Sequence, residues 1–126
     1  MKQRRLIPRE LFEKIIDGVA LRDRVVAKLL YFGAPINQND VYSLKIDQID
    51  FDYNHINFDL GSIRYDRHVF LDLDLLIGKR KKGFVFTGRR EKKIDPTVPY
   101  RALKKSAKNI EGLGDKFSLK DLSNRL

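Results

Sequence analysis

Apolar residues recur at helical spacing in the first third of the chain, alternate with polar ones in the middle, and return to helical spacing near the end. Leu11, Ile15, Ile16 and Val19 predict a short amphipathic helix, with Pro8 at its first position and Gly18 in its last turn. Arg22 to Phe32 predicts a second helix. Val25, Val26, Leu29, Leu30 and Phe32 make it apolar over most of its circumference, so it is expected to be the buried one. Gly33-Ala34-Pro35 stops it, because glycine tolerates positive φ and proline cannot continue a helix. Asn37 or Asn39 is the expected cap of a third helix that buries Val41 and Leu44.

From Ile46 the period becomes two. Ile49 and Phe51, a turn at Asp52–His55, and then Ile56, Phe58 and Leu60 predict a β-hairpin. Gly61-Ser62 opens a second turn. Val69 and Leu71 mark the expected next strand, with Arg64, Arg67 and His68 nearer its start, and Leu73, Leu75 and Leu76 suggest a short helix. A short buried strand, Phe84–Thr87, lies between two glycine-flanked basic runs, GKRKKG and GRREKK, which are expected to be exposed loops. Asp95 or Thr97 then caps a last long helix with Pro99 in its first turn. Leu103, Ala107 and Ile110 lie on one side of that helix, and Arg101, Lys104, Lys105 and Lys108 on the other. Gly112-Leu113-Gly114 ends it, and Ser118 caps a further helix that the chain leaves unfinished at Leu126. The class is α+β, a mostly helical domain with a small antiparallel sheet. A flexible basic lead-in, residues 1–7, precedes a single domain, residues 8–126.

Composition narrows the chemistry. At 126 residues and 42% hydrophobic, the chain suits one domain with a real core. Cysteine is absent and His55 and His68 are the only histidines, so no metal site and no cofactor is expected. No apolar run approaches the roughly 20 residues that span a bilayer, and the MKQRRLIPRE start has no signal-peptide core. A cytoplasmic protein, nucleoid-associated if bacterial, is the expectation. The net charge of +9 is unevenly spread. Residues 1–60 hold nine Lys/Arg and nine Asp/Glu, residues 61–126 hold 17 and eight. A one-sided basic excess on a folded domain points to a polyanion, because each neutralised phosphate releases condensed counterion.

The order of these elements resembles the catalytic domain of tyrosine recombinases, the phage-integrase family. The matching features are a buried helix ending near Gly33, a capped helix leading through Leu44 and Lys45 to DQIDF, and a hairpin. A basic strand ending in Val69-Phe70-Leu71 follows, then a leucine-rich helix, Phe84-Val85-Phe86 and a basic helix. A glycine turn and the SLKDL box at Ser118–Leu122 complete the match. The resemblance implies a fold that grips duplex DNA and, in active members, cuts it with a tyrosine. Arginines, a lysine and histidines stabilise the phosphoryl charge in those members. The catalytic positions are degenerate here. The first arginine falls on Asn37, the hairpin lysine near Ser62, and the histidine and arginine of the second box on Lys120 and Ser123, while the tyrosine would lie beyond Leu126. Val25–Lys45 contains no arginine at all, so the first loss is independent of register. Of Tyr31, Tyr42, Tyr53, Tyr65 and Tyr100, none sits at the nucleophile's place.

The expected DNA contacts, carried over from the family's hairpin, loops and basic helix, are Arg64, Arg67, Lys79, Arg80, Lys81, Lys82, Arg89, Arg90, Lys92, Lys93, Arg101, Lys104, Lys105 and Lys108. Gln38, Asn39 and Asn54 are weaker candidates for base edges, with capping the expected role of Asn39. His68 is a minor candidate for a phosphate contact, His55 a turn residue, and Tyr53 and Tyr65 packing residues. The resulting expectation is an inactive recombinase-like scaffold that binds double-stranded DNA, for transcriptional regulation or DNA architecture. A second copy or a recombinase-like protein is its expected partner. Two alternatives stand beside it: a fragment of an integrase acting in DNA integration, and a protein-interaction domain whose basic face is incidental. Ser118–Leu126 also reads as the first helix of a helix-turn-helix.

Overall fold

A computed structural model describes residues 7–33, 36–88 and 92–110. Five helices and one small sheet follow one another: α1 (Arg9–Asp17), α2 (Leu21–Phe32), α3 (Gln38–Tyr42), a 3-10 turn (Ile46–Gln48), β1 (Ile49–Asp50), β2 (His55–Phe58), β3 (Gly61–Arg64), α4 (Arg67–Ile77) and α5 (Thr97–Lys108). The α+β class with a predominance of helix is as the sequence predicts.

Helix α2 is the axle. Val25, Val26, Ala27, Leu29 and Leu30 are fully buried, and α1, α3, α4 and α5 all pack on it. Phe12 on α1 stacks on Tyr31 with ring centroids 4.0 Å apart, and the Tyr31 hydroxyl donates to the Ile7 carbonyl at 2.6 Å. Ile7 is therefore part of the packed core.

Gly33 ends α2 for a reason other than the predicted one. Its φ is −114°, outside the left-handed region. A Cβ there would lie 1.8 Å from the Tyr65 hydroxyl and 2.4 Å from the Leu29 carbonyl oxygen. Close approach demands the glycine, because Tyr65 is buried and donates to that Leu29 oxygen at 2.8 Å. Between the two candidate caps of α3, Asn37 is the one used. Its side chain accepts from the Asp40 amide and the Asp40 carboxylate accepts from the Asn37 amide, both at 3.0 Å. Asn39 lies inside the helix.

The sheet is antiparallel in the order β1-β2-β3. Ile49 pairs with Ile56, Ile56 with Ile63, and Phe58 with Gly61. Its third strand corrects the sequence reading. A tight turn at Asp59-Leu60 starts β3 at Gly61, where a turn was predicted, and the predicted strand through Val69 and Leu71 is the first half of α4. The buried residues Val69, Phe70, Leu73 and Ile77 follow a spacing of three to four, a helical stripe. Leu71 and Leu75 face outward, and Phe51 and Leu60 are exposed in turns. These apolar residues on exposed positions made both the period and the turns hard to read. His55, expected in a turn, is the first residue of β2, opposite Arg64.

Phe84–Thr87 buries Val85 and Phe86 as predicted but is not a strand: the chain bends at both, and the segment makes only isolated bridges, Lys45 to Phe84 and Thr87 to Lys93. Helix α5 starts at Thr97 with Pro96 at its N-cap, so neither Asp95 nor Thr97 caps it as predicted. The Asp95 carboxylate, one residue earlier, accepts from the Thr97 amide at 2.9 Å and from its hydroxyl at 2.8 Å. The glycine turn and the Ser118 helix lie outside the described residues.

Candidate nucleic-acid interface

Helix α5 turns Pro99, Leu103 and Ala107 into the core. It is locked to α1 by the Ser106 hydroxyl, which donates to the Ile15 carbonyl at 2.7 Å, over a Gly18 whose Cβ would meet that hydroxyl at 2.4 Å. The seating leaves Arg101, Lys105 and Lys108 exposed on one side. Lys104 is half-buried, its ammonium 5.5 Å from the Tyr100 ring centroid and 3.3 Å from that hydroxyl. At 1.5 Å of rise per residue, the row from Arg101 to Lys108 is about 10 Å long, enough to run beside about three phosphates of one strand at roughly 3.4 Å of duplex axis each.

The other expected contacts divide. Lys79, Lys81 and Lys82 are exposed on the loop after α4, Lys92 and Lys93 on the segment before α5, and Arg64 and Arg67 at the end of β3 and the start of α4. Arg80 differs from its neighbours, because its guanidinium points inward and donates to four backbone carbonyls. Arg89 and Arg90 lie outside the described residues.

Ion pairing distinguishes four cations of the first half from the expected contacts. In the first half, Arg9 pairs with Glu13 and Arg22 with Asp23, while Arg24 and Lys28 share Asp72 on α4. Among the described residues, none of the expected contacts forms an ion pair with a carboxylate. The sequence reading found the charge imbalance, and the tertiary pairing sharpens it.

Of the positions that the sequence resemblance aligns with catalytic residues, the two described ones, Asn37 and Ser62, have local partners. Asn37 is held in the α3 cap. Ser62 is exposed on β3 with its hydroxyl 3.4 Å from His55 Nδ1. Lys120 and Ser123 lie outside the described residues. His68 belongs to α4, with Nδ1 3.2 Å from Lys28 Nζ and its ring edge-on to Phe32 at 5.3 Å. Burial and the Lys28 charge, opposed by Asp66, hold it below the usual histidine range. Burial alone pushes the Tyr65 hydroxyl well up, and burial together with Asp23 pushes that of Tyr42 up to about 12. Both stay neutral at physiological pH. Sequence reading missed Asp23, a carboxylate only 3% exposed within α2. An acid inside an apolar helix was the available signal. No group of three or more His, Cys, Asp or Glu among the described residues is placed to hold a metal, and no described helix is long and apolar enough to cross a membrane.

Neither a protein-family model nor a curated protein sequence matches the chain. Its fold does match a solved structure, the crystal structure of XerA recombinase, with a TM-score of 0.75 and 17% sequence identity, over 96% of this chain. The match covers 47% of the XerA chain, so this sequence spans about half the length of that protein. The helices around α2, the three-stranded sheet and the basic helix α5 together form a tyrosine-recombinase-like, catalytic-domain-like fold.

Proposed function

We propose that this chain binds double-stranded DNA through the face that carries α5 and the two basic loops, without performing strand cleavage. The observation that carries this reading is that, among the described residues, the expected contacts other than Arg80 form no ion pair, whereas Arg9, Arg22, Arg24 and Lys28 do. A domain that neutralises Arg24 and Lys28 internally while leaving a row of cations on one helix keeps the latter for an external polyanion. The fold likeness to a recombinase supports duplex DNA as that polyanion. Catalysis is absent from the proposal because a neutral asparagine, committed to a cap, stands where the family's first arginine belongs. The role is transcriptional regulation or DNA architecture, with a second copy or a recombinase-like protein as partner.

Fluorescence anisotropy with a labelled duplex across a salt series tests this. Four α5 cations and three loop lysines on phosphates give a slope of log K against log salt of about −6. Absence of binding at low salt, or binding without a salt slope, removes the proposal. A nicked suicide substrate is expected to yield no covalent adduct. An adduct would favour the integrase-fragment reading instead.

A further inference from the structure

The run from Gly78 to Gly83 is a loop with a built interior. Gly78 (φ 61°) and Gly83 (φ 99°) hold left-handed conformations at its two ends, each with open space where a Cβ would be. Inside it, Arg80 Nη1 donates to the Phe84 carbonyl at 2.9 Å, and Nη2 to those of Val85 at 3.2 Å and Leu76 at 3.4 Å, while Nε reaches the Ile77 carbonyl at 3.3 Å. Leu76 and Ile77 close α4, and their carbonyls are among the last four, which have no partner within the helix; that of Ile77 also accepts from the Arg80 amide at 3.2 Å. Phe84 and Val85 belong to the segment after the loop. That segment is fastened in turn: the Ile46 amide donates to the Gly83 carbonyl and the Val85 amide to the Leu44 carbonyl, both at 2.9 Å. One guanidinium thus ties the exit of α4 to the return of the loop, and Lys79, Lys81 and Lys82 are left exposed on the tip.

We infer that Arg80 is a positioning residue for nucleic-acid binding, a clamp that preforms the lysine tip and touches no phosphate itself. The inference rests on the DNA-binding reading above. Its physical basis is the planar fork of the guanidinium, which serves several carbonyls at once, where a lysine has a single nitrogen. A tip ordered before binding loses less conformational freedom on contact with DNA. This separates Arg80 from its three neighbours, although all four look alike in sequence.

The test compares unmodified protein, Lys81→Ala, Arg80→Ala and Arg80→Lys, each titrated with the same duplex at several salt concentrations. Losing a phosphate-contacting lysine flattens the log–log salt slope by about 0.9. Arg80→Ala is expected to weaken binding by about three- to tenfold with the slope unchanged, and Arg80→Lys to show the same deficit. A slope flattened as in Lys81→Ala, with affinity restored by Arg80→Lys, would show direct phosphate contact and overturn the clamp. Amide exchange without DNA is an independent arm. Both variants should exchange faster between residues 79 and 85, and unchanged exchange there also overturns it. Circular dichroism melts identify global unfolding, and Arg80→Lys carries the comparison if Arg80→Ala melts below the assay temperature. Failure of the unmodified chain to bind duplex would sink the DNA reading and the positioning role with it, whatever the exchange arm shows of the clamp's structure.

Discussion

Two tyrosines, a glycine and an asparagine show how much a single position depends on its surroundings. Tyr65→Phe removes a buried hydrogen bond and leaves the Leu29 oxygen without that donor, so it should cost about 1–2 kcal/mol in chemical denaturation. Tyr42→Phe should be close to neutral, because the Tyr42 hydroxyl is buried with no hydrogen-bond partner among the described residues. A Tyr42 change as costly as the Tyr65 one would contradict this. Gly33→Ala forces a methyl into the Tyr65 hydroxyl and the Leu29 carbonyl, at an expected cost of about 2–3 kcal/mol. Its combination with Tyr65→Phe should cost less than the sum, since the two share the clash. Asn37→Arg places the family's arginine at its aligned position and destroys the α3 cap. The expected outcome is a loss of about 1 kcal/mol with no covalent DNA adduct on a suicide substrate.

Between elements, the α2–α4 contact is where charge is spent on structure. Lys28 Nζ lies 2.7 Å from Asp72, Arg24 shares the same carboxylate at 3.4 Å, and the Lys28 and Asp72 side chains are only 12% and 13% exposed. Asp72→Asn leaves two cations facing each other and should cost about 2–3 kcal/mol. His68 sits beside this cluster with its pKa lowered, first by burial, then by Lys28 and Arg9 against Asp66 and Asp72. The unfolded chain therefore binds the proton more readily than the folded one. The neutral ring's contribution is complete above about pH 6.5 and is lost as pH falls from there through the lower folded value. His68→Gln should flatten the stability profile in that window, and an unchanged profile would show that another group controls it. None of this was legible in the sequence. Asp72 lies more than forty residues along the chain from Arg24 and Lys28. The outward leucines Leu71 and Leu75 also disguised α4 as the end of a strand.

For the whole molecule, the relevant quantity is the partition of charge. Among the described residues, Arg9, Arg22, Arg24 and Lys28 are held in ion pairs, while Arg64, Arg67, Lys79, Lys81, Lys82, Lys92, Lys93, Arg101, Lys105 and Lys108 are exposed. Reversal of Lys105 and Lys108 to glutamate should therefore weaken duplex binding far more than reversal of Lys2 and Arg4, as read by anisotropy at fixed low salt. Equal losses would place the binding face elsewhere.

The sequence alone determined the class, the buried helix α2 and the amphipathic sides of α5, because each rests on local periodicity within a few residues. It also determined that Val25–Lys45 offers no arginine for phosphoryl transfer. Only the tertiary structure decided where the third strand lies, since register depends on how tightly the chain turns at Asp59-Leu60. It alone decided why Gly33 is glycine, since the reason is a hydroxyl thirty-two residues away. And it alone turned one arginine of GKRKKG inward, because four carbonyls from two separate segments converge only after both have folded.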